Sequence, residues 1–170
     1  MRRIILFFLL VPLFSIAQTT SVYIKLSDGR GQQIIGESVL KGHEKWIQAT
    51  STNAGGKNNT QFSFTMPVSG ASADLKRAMA NGQALSIAEV HALVPNGGGA
   101  PSFSYTIMMQ QVTVLSCTEA MGCNNIMTTT VSLQATRIGW TYYTTGKTGA
   151  ATVSRKFGWD AAANAEWNNF

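Results

Sequence analysis

Hydrophobic and polar positions alternate with a period of two in most of the patterned segments of this chain, which is the signature of half-buried strands. Val22-Tyr23-Ile24-Lys25-Leu26 alternates and runs into the turn pair Asp28-Gly29, predicting a first strand. Glu44 to Ala49 predicts a second, followed by a polar loop from Ser51 to Thr60 that contains Gly55-Gly56. Gln61 to Met66 resumes strict alternation until Pro67 ends the ladder. The period then changes. Leu75, Ala78 and Met79 fall at i, i+3 and i+4, so the stretch from Ser72 to Gly82 predicts one short helix. Ser72 is placed to cap its start, Asp74 to complement the first-turn dipole, and Gly82 to supply the glycine that follows a helix end.

After the helix the two-residue period returns. Leu85 and Ile87 are followed by Val90, a phase slip that predicts a bulge between Ala84 and Leu93. Asn96 to Pro101 reads as a connection; its Gly97 to Gly99 run lacks the Lys-Ser/Thr and the following helix of a phosphate loop. Phe103 to Ile107 and Val112 to Leu115 make one long strand or two, Thr130 to Ala135 and Ile138 to Tyr143 the next, and Thr152 to Phe157 the last. Seven to nine strands joined by short glycine-bearing turns, with one helix alongside, predict a mainly β antiparallel barrel or sandwich.

Composition narrows the class. The chain has 170 residues of which 12% are charged, with 13 Lys plus Arg against 8 Asp plus Glu, about half the usual globular share of charge. Part of the basicity belongs to the amino terminus: Arg2-Arg3 precedes an uncharged run from Ile4 to Phe14 and a small-x-small exit at Ser15-Ile16-Ala17. This is the pattern of a secretory signal peptide, shorter than the roughly 20 residues that span a bilayer. The expected organisation is therefore a leader over residues 1–17 and a single domain over 18–170. Cleavage after Ala17 leaves a domain with net charge +3 in place of +5. So small a charge, with no basic cluster, gives no support to nucleic-acid binding, and no second long apolar run calls for membrane insertion once the leader is gone.

The candidate chemistry is sparse. Cys117 and Cys123 are the only cysteines, and in an exported protein their pairing as a disulfide is expected, whereas their spacing fits neither a CxxC redox motif nor a zinc site. His43 and Glu44 are neighbours, which in a strand point to opposite faces and share no site. His91 lies two positions from Glu89 on one strand face, a pair read as a surface hydrogen bond or ion pair in preference to half a metal site. Trp46, Trp140, Trp159 and Trp167, with Tyr105, Tyr142 and Tyr143, either build the core and ends of a small barrel or form an aromatic platform for sugars. No nucleophile elbow, HExxH or shared carboxylate pair is present. The reading is a non-enzyme with no catalytic residues, metal ligands or cofactor.

Four separated blocks resemble the haemolysin-coregulated protein (Hcp) family, the tube protein of type VI secretion systems. The first is Lys41-Gly42-His43-Glu44-Lys45-Trp46-Ile47, similar to a KGHE-x-W-I segment. The second runs from Phe64-Thr65 through Ser72, Leu75, Ala78 and Gly82. The third is Val131-Ser132-Leu133 with Ile138, Trp140 and Tyr142, and the fourth Gly158-Trp159-Asp160 with Asn164 and Trp167. The resemblance implies a small β-barrel of two sheets with one helix, a hexameric ring, stacking of rings into a tube, and partners among effectors and other type VI components. Under it the block residues are structural. The leader and the two cysteines depart from the family pattern and both point to an oxidising, periplasmic or extracellular destination. A second reading stays open beside the first: an exported Hcp-fold binding module, recognising a glycan or cell-surface partner, that no longer builds a tube.

Overall fold

The computed structural model describes residues 19–55, 60–96, 99–122, 125–146 and 150–170. The leader expected over residues 1–17 and Cys123 lie outside them. Ten strands and one helix follow in order: β1 Ser21–Ser27, β2 Gln33–Ile34, β3 Ile47–Ala49, β4 Ser51–Ala54, β5 Gln61–Pro67, α1 Gly70–Ala80, β6 Leu85–Asn96, β7 Gly99–Met121, β8 Met127–Thr145, β9 Ala151–Asp160 and β10 Ala165–Glu166. All pairings between them are antiparallel.

The ladder closes on itself. β6 pairs with β1 on one side and β7 on the other, and β7 pairs with β8. The first half of β8 pairs with β5 and its second half with β9. β3 pairs with β1 while β4, one residue further on, pairs with β5. Residues 47–54 thus form a bent ribbon that turns the corner from one layer to the other and closes the barrel, with β9 left beside β8 as an edge that β10 covers only at Trp159 and Asp160. The two layers implied by the resemblance are accordingly one continuous ten-stranded hydrogen-bonded network. Its interior is filled by the side chains that the two-residue period places inward, among them Ile24, Phe62, Phe64, Met109, Leu133 and Ile138, all at most 1% exposed.

Helix α1 covers the barrel against β7, burying Ala71, Leu75 and Ala78. It begins three residues earlier than the sequence predicts. Ser69 is the N-cap and Ser72 stands at N3, where its Oγ accepts from the Ser69 N–H at 3.2 Å and meets Thr129 Oγ1 at 2.8 Å. Asp74 is therefore beyond the first turn and pairs with Arg77 at 3.4 Å, while Met79 turns partly outward. Asn81 is the C-cap and Gly82 follows with φ 59°, as expected of that glycine.

The structure corrects three further expectations. The polar stretch after Ser51 begins as strand β4, because Thr52 and its neighbours satisfy their backbone groups against β5. The second strand shrinks to Ile47–Ala49, and Lys41–Trp46 is a turn-rich loop in which Gly42 and Lys45 both take positive φ. In β6 the change of inward phase falls between Leu85 and Ala88 without loss of register; the register shifts themselves are at Ala92/Leu93 and Val94/Asn96.

Candidate functional site

The first motif block folds into the loop of residues 35–46, tied back on itself by Gly36 N–H to the Lys45 carbonyl at 2.8 Å, Lys45 N–H to the Ser38 carbonyl at 2.7 Å and Ser38 N–H to the Trp46 carbonyl at 3.0 Å. The glycine at 36 is dictated by close approach: a Cβ there would sit 2.4 Å from the Trp46 carbonyl oxygen. Glu44 points outward and accepts from the Gly42 N–H at 2.8 Å. Lys41 is exposed. His43, by contrast, is 8% exposed and packs against Tyr23, Trp46 and Phe103. The two neighbours do face opposite ways, through a turn and not through strand alternation.

His43 Nε2 and His91 Nδ1 are 2.8 Å apart, a hydrogen bond across 48 residues of sequence. This overturns the expected Glu89–His91 pairing. Glu89 instead pairs with Lys25 at 3.6 Å, because Lys25 is its direct neighbour in the β1–β6 register, and Lys25 also lies over the Trp46 ring. The His91 ring lies tilted 4.6 Å from Trp46 and edge-on 5.1 Å from Phe103. Burial holds both imidazoles below their ordinary pKa, His91 down to about 4 with the His43 and Lys25 charges adding to the effect. Local sequence carried no sign of this pair, since each partner is meaningful only once the loop lies on the β1–β6–β7 wall.

The fourth block builds a second lock. Arg137 Nε donates to Asp160 Oδ2 at 2.6 Å, and Asp160 Oδ1 accepts from the Ala162 and Ala163 N–H groups at 3.0 and 2.9 Å. The Ala163 N–H and the Arg137 guanidinium hold the carboxyl below the usual carboxylate range. The aspartate thus turns the chain so that Trp167 returns to donate its N–H to the Gly158 carbonyl at 2.9 Å. Gly158 and Gly139 are cross-strand partners whose missing side chains make a notch for Phe170 and the Trp167 backbone. Asp160→Ala is expected to loosen this turn: limited proteolysis should cut within 161–167 faster than in the parent, with far-UV circular dichroism unchanged.

Leu133 and Trp159 are buried structural positions, Leu133 facing Phe62 and Val114 across both neighbouring strands. Trp140 stacks on Phe157 with centroids 5.7 Å apart. All four tryptophans are at most 8% exposed, so they build the core and barrel ends and offer no open platform. The most exposed aromatic side chains among the described residues are Tyr142 and Phe157, beside Tyr105, Trp140 and Ala54 in a groove of about 310 Å³; nothing in the sequence singles out Phe157, as an ordinary strand residue carries no signal for it.

Cys117 carries a free thiol, and its expected partner Cys123 lies outside the described residues. Alternation turns its side chain into the core beneath α1, where Sγ lies 3.9 Å from the Ser72 carbonyl and burial pushes the thiol pKa up. Among the described residues no group of three or more His, Cys, Asp or Glu is placed to hold a metal, and no helix is long and apolar enough to cross a membrane.

The motif residues thus lock a loop and a tail onto the wall of a closed barrel, which defines a scaffold-type β-barrel. The chain belongs to the Hcp family: the family model described as type VI secretion system effector, Hcp, matches residues 23–142. No curated protein matches the sequence. Among solved structures, Hcp1 from Salmonella typhimurium is 20% identical, covering 88% of this chain and all of its own length with a TM-score of 0.69. A structure described as a type six secretion system protein is 22% identical with the same coverage and a TM-score of 0.72. Hcp1 from E. coli EAEC 042, in a doubly substituted form, is 22% identical, covering 78% of this chain and 96% of its own, with a TM-score of 0.63.

Proposed function

We propose that this protein is a structural subunit of a type VI secretion tube, one that forms rings with copies of itself and stacks them, with effectors as cargo. The family match over residues 23–142 carries this reading. The surface supports it: Ile35 and Val39 on the 35–46 loop and Met121, Ile126 and Met127 at the β7–β8 turn are exposed apolar side chains, in a chain whose low charge suits a surface covered by neighbours. The block residues act as architecture, and the protein is structural and not catalytic. Removal of residues 1–17 by a signal peptidase would deliver the 18–170 domain to the periplasm or beyond. Native mass spectrometry of the mature chain tests the assembly: six copies are expected, and a strict monomer at micromolar concentration would sink it.

The groove beside Tyr142 and Phe157 favours a second reading, an exported glycan-binding module. A monomer whose glycan binding is lost in Tyr142→Ala would replace the tube with that function.

A further inference from the structure

We propose that the hydrogen-bonded His43–His91 pair is an acid-sensitive latch, which holds the 35–46 loop on the barrel wall while both rings are neutral and releases it when they take up protons. The geometry carries this independently of the tube reading. His43 is more than nine-tenths buried, its Nε2 is committed to His91, and its buried Nδ1 makes no hydrogen bond. Two neutral imidazoles satisfy the shared 2.8 Å contact with one N–H and one lone pair. Once both rings are protonated, two N–H groups face each other across it and two like charges sit inside an aromatic cluster.

The surrounding charges set the balance. From β1, Tyr23 packs on His43 and the Lys25 ammonium opposes charge on His91. From the loop itself, the Glu44 carboxylate and the Lys41 carbonyl favour a charged His43 but are outweighed by its burial. Glu89 of β6, Tyr143 of β8, Lys156 of β9 and the chain end at Phe170 line the small cavity on the outer side of His91, where β7 contributes Thr106, Ile107 and Met108. Glu89 is engaged by Lys25, and Lys156 donates to the Phe170 carbonyl. Among the described residues Glu44 is then the carboxylate that favours a proton on His43, and burial outweighs it.

The sign follows from these shifts. The released loop exposes histidines that bind protons near pH 6.5, whereas in the closed form His91 does so only near 4. The closed loop is therefore fully favoured above about pH 6.5 and loses its advantage as pH falls toward 4. Between pH 7 and 4.5, His91 alone would shift the closed-to-open ratio by roughly sixtyfold, reduced to about tenfold where solvent screens the ring.

Hydrogen–deuterium exchange of the full mature chain tests the latch. Protection factors for residues 36–46, corrected for intrinsic exchange, should fall at least about tenfold between pH 7 and 4.5, while those of β7 and β8 hold. In His43→Gln/His91→Gln, whose amides do not titrate, the same loop should show no such fall. Equal pH dependence in that variant, an unchanged loop in the parent, or a single cooperative loss of loop and barrel together would each overturn the proposal. Ring NMR of the parent needs no variant: both histidines should titrate below 6.5, and an ordinary midpoint for either one overturns the latch.

Discussion

Placing a methyl group at position 158 is expected to eject the carboxy-terminal tail. In Gly158→Ala the new Cβ would meet the Trp167 carbonyl oxygen at 2.1 Å and the Phe170 ring at 2.4 Å. The first of these is backbone, held by the Trp167 N–H to Gly158 carbonyl bond, so it cannot rotate away as a flexible side chain would. Two responses compete. Strain within the docked form costs about 1–3 kcal/mol or more for so deep an overlap. Undocking forfeits the burial of Trp167, about 3 kcal/mol on the same scale. The cheaper response wins, so the loss of stability is expected at about 3 kcal/mol and no higher, read as a lower urea midpoint. The tail should then be trimmed by carboxypeptidase at a rate the parent never shows. Gly70→Ala is the control: nothing lies within 4 Å of its added Cβ and the position is helical, so stability should stay level or rise by about 0.5 kcal/mol.

How much of this architecture the sequence disclosed depends on whether each feature is local. The alternation in Gln61–Met66 and Thr130–Ala135 became the β5–β8 pairing with Phe62, Phe64 and Met66 all inside, because inward phase is a property of a strand by itself. The helix end at Asn81 and Gly82 was legible for the same reason. The start was misplaced because Ser69 and Ser72 are both capping residues, and only the docking of Ser72 against Thr129 decides which of them is the cap. β4 was invisible: Ser51–Ala54 has no apolar alternation and is a strand only because β5 offers it a free edge.

The site was less legible than the fold, and the reason is range. The block of residues 41–47 was found by resemblance, yet its physical meaning, His43 against His91, joins two segments whose local patterns say nothing of each other. The Gly158-Trp159-Asp160 block likewise needed Gly139, Arg137 and Phe170 from elsewhere before its glycine and aspartate made sense. For the cysteines only one partner can be compared: strand alternation turns Cys117 inward beneath the helix, while Cys123 lies outside the described residues.

Phe62→Ala is expected to cost about 4 kcal/mol, within the usual range for emptying a phenylalanine site, and so to bring the barrel near its limit of stability. Phe62 is completely buried, faces Leu133 across the β5–β8 seam and lies 6.1 Å from the Phe64 ring. That seam is where the barrel closes, since β5 carries β4 on one edge and β8 on the other. A cavity there cannot be filled cheaply, because both flanking strands are pinned by their ladders and neither can move inward without breaking register. Urea denaturation followed by circular dichroism should show the midpoint falling with the slope retained. Phe157→Ala, at a ring 40% exposed and stacked on Trp140, should cost about 1 kcal/mol, because water already reaches one side of that ring. Equal losses for the two would mean that the seam is not the closing element of the barrel.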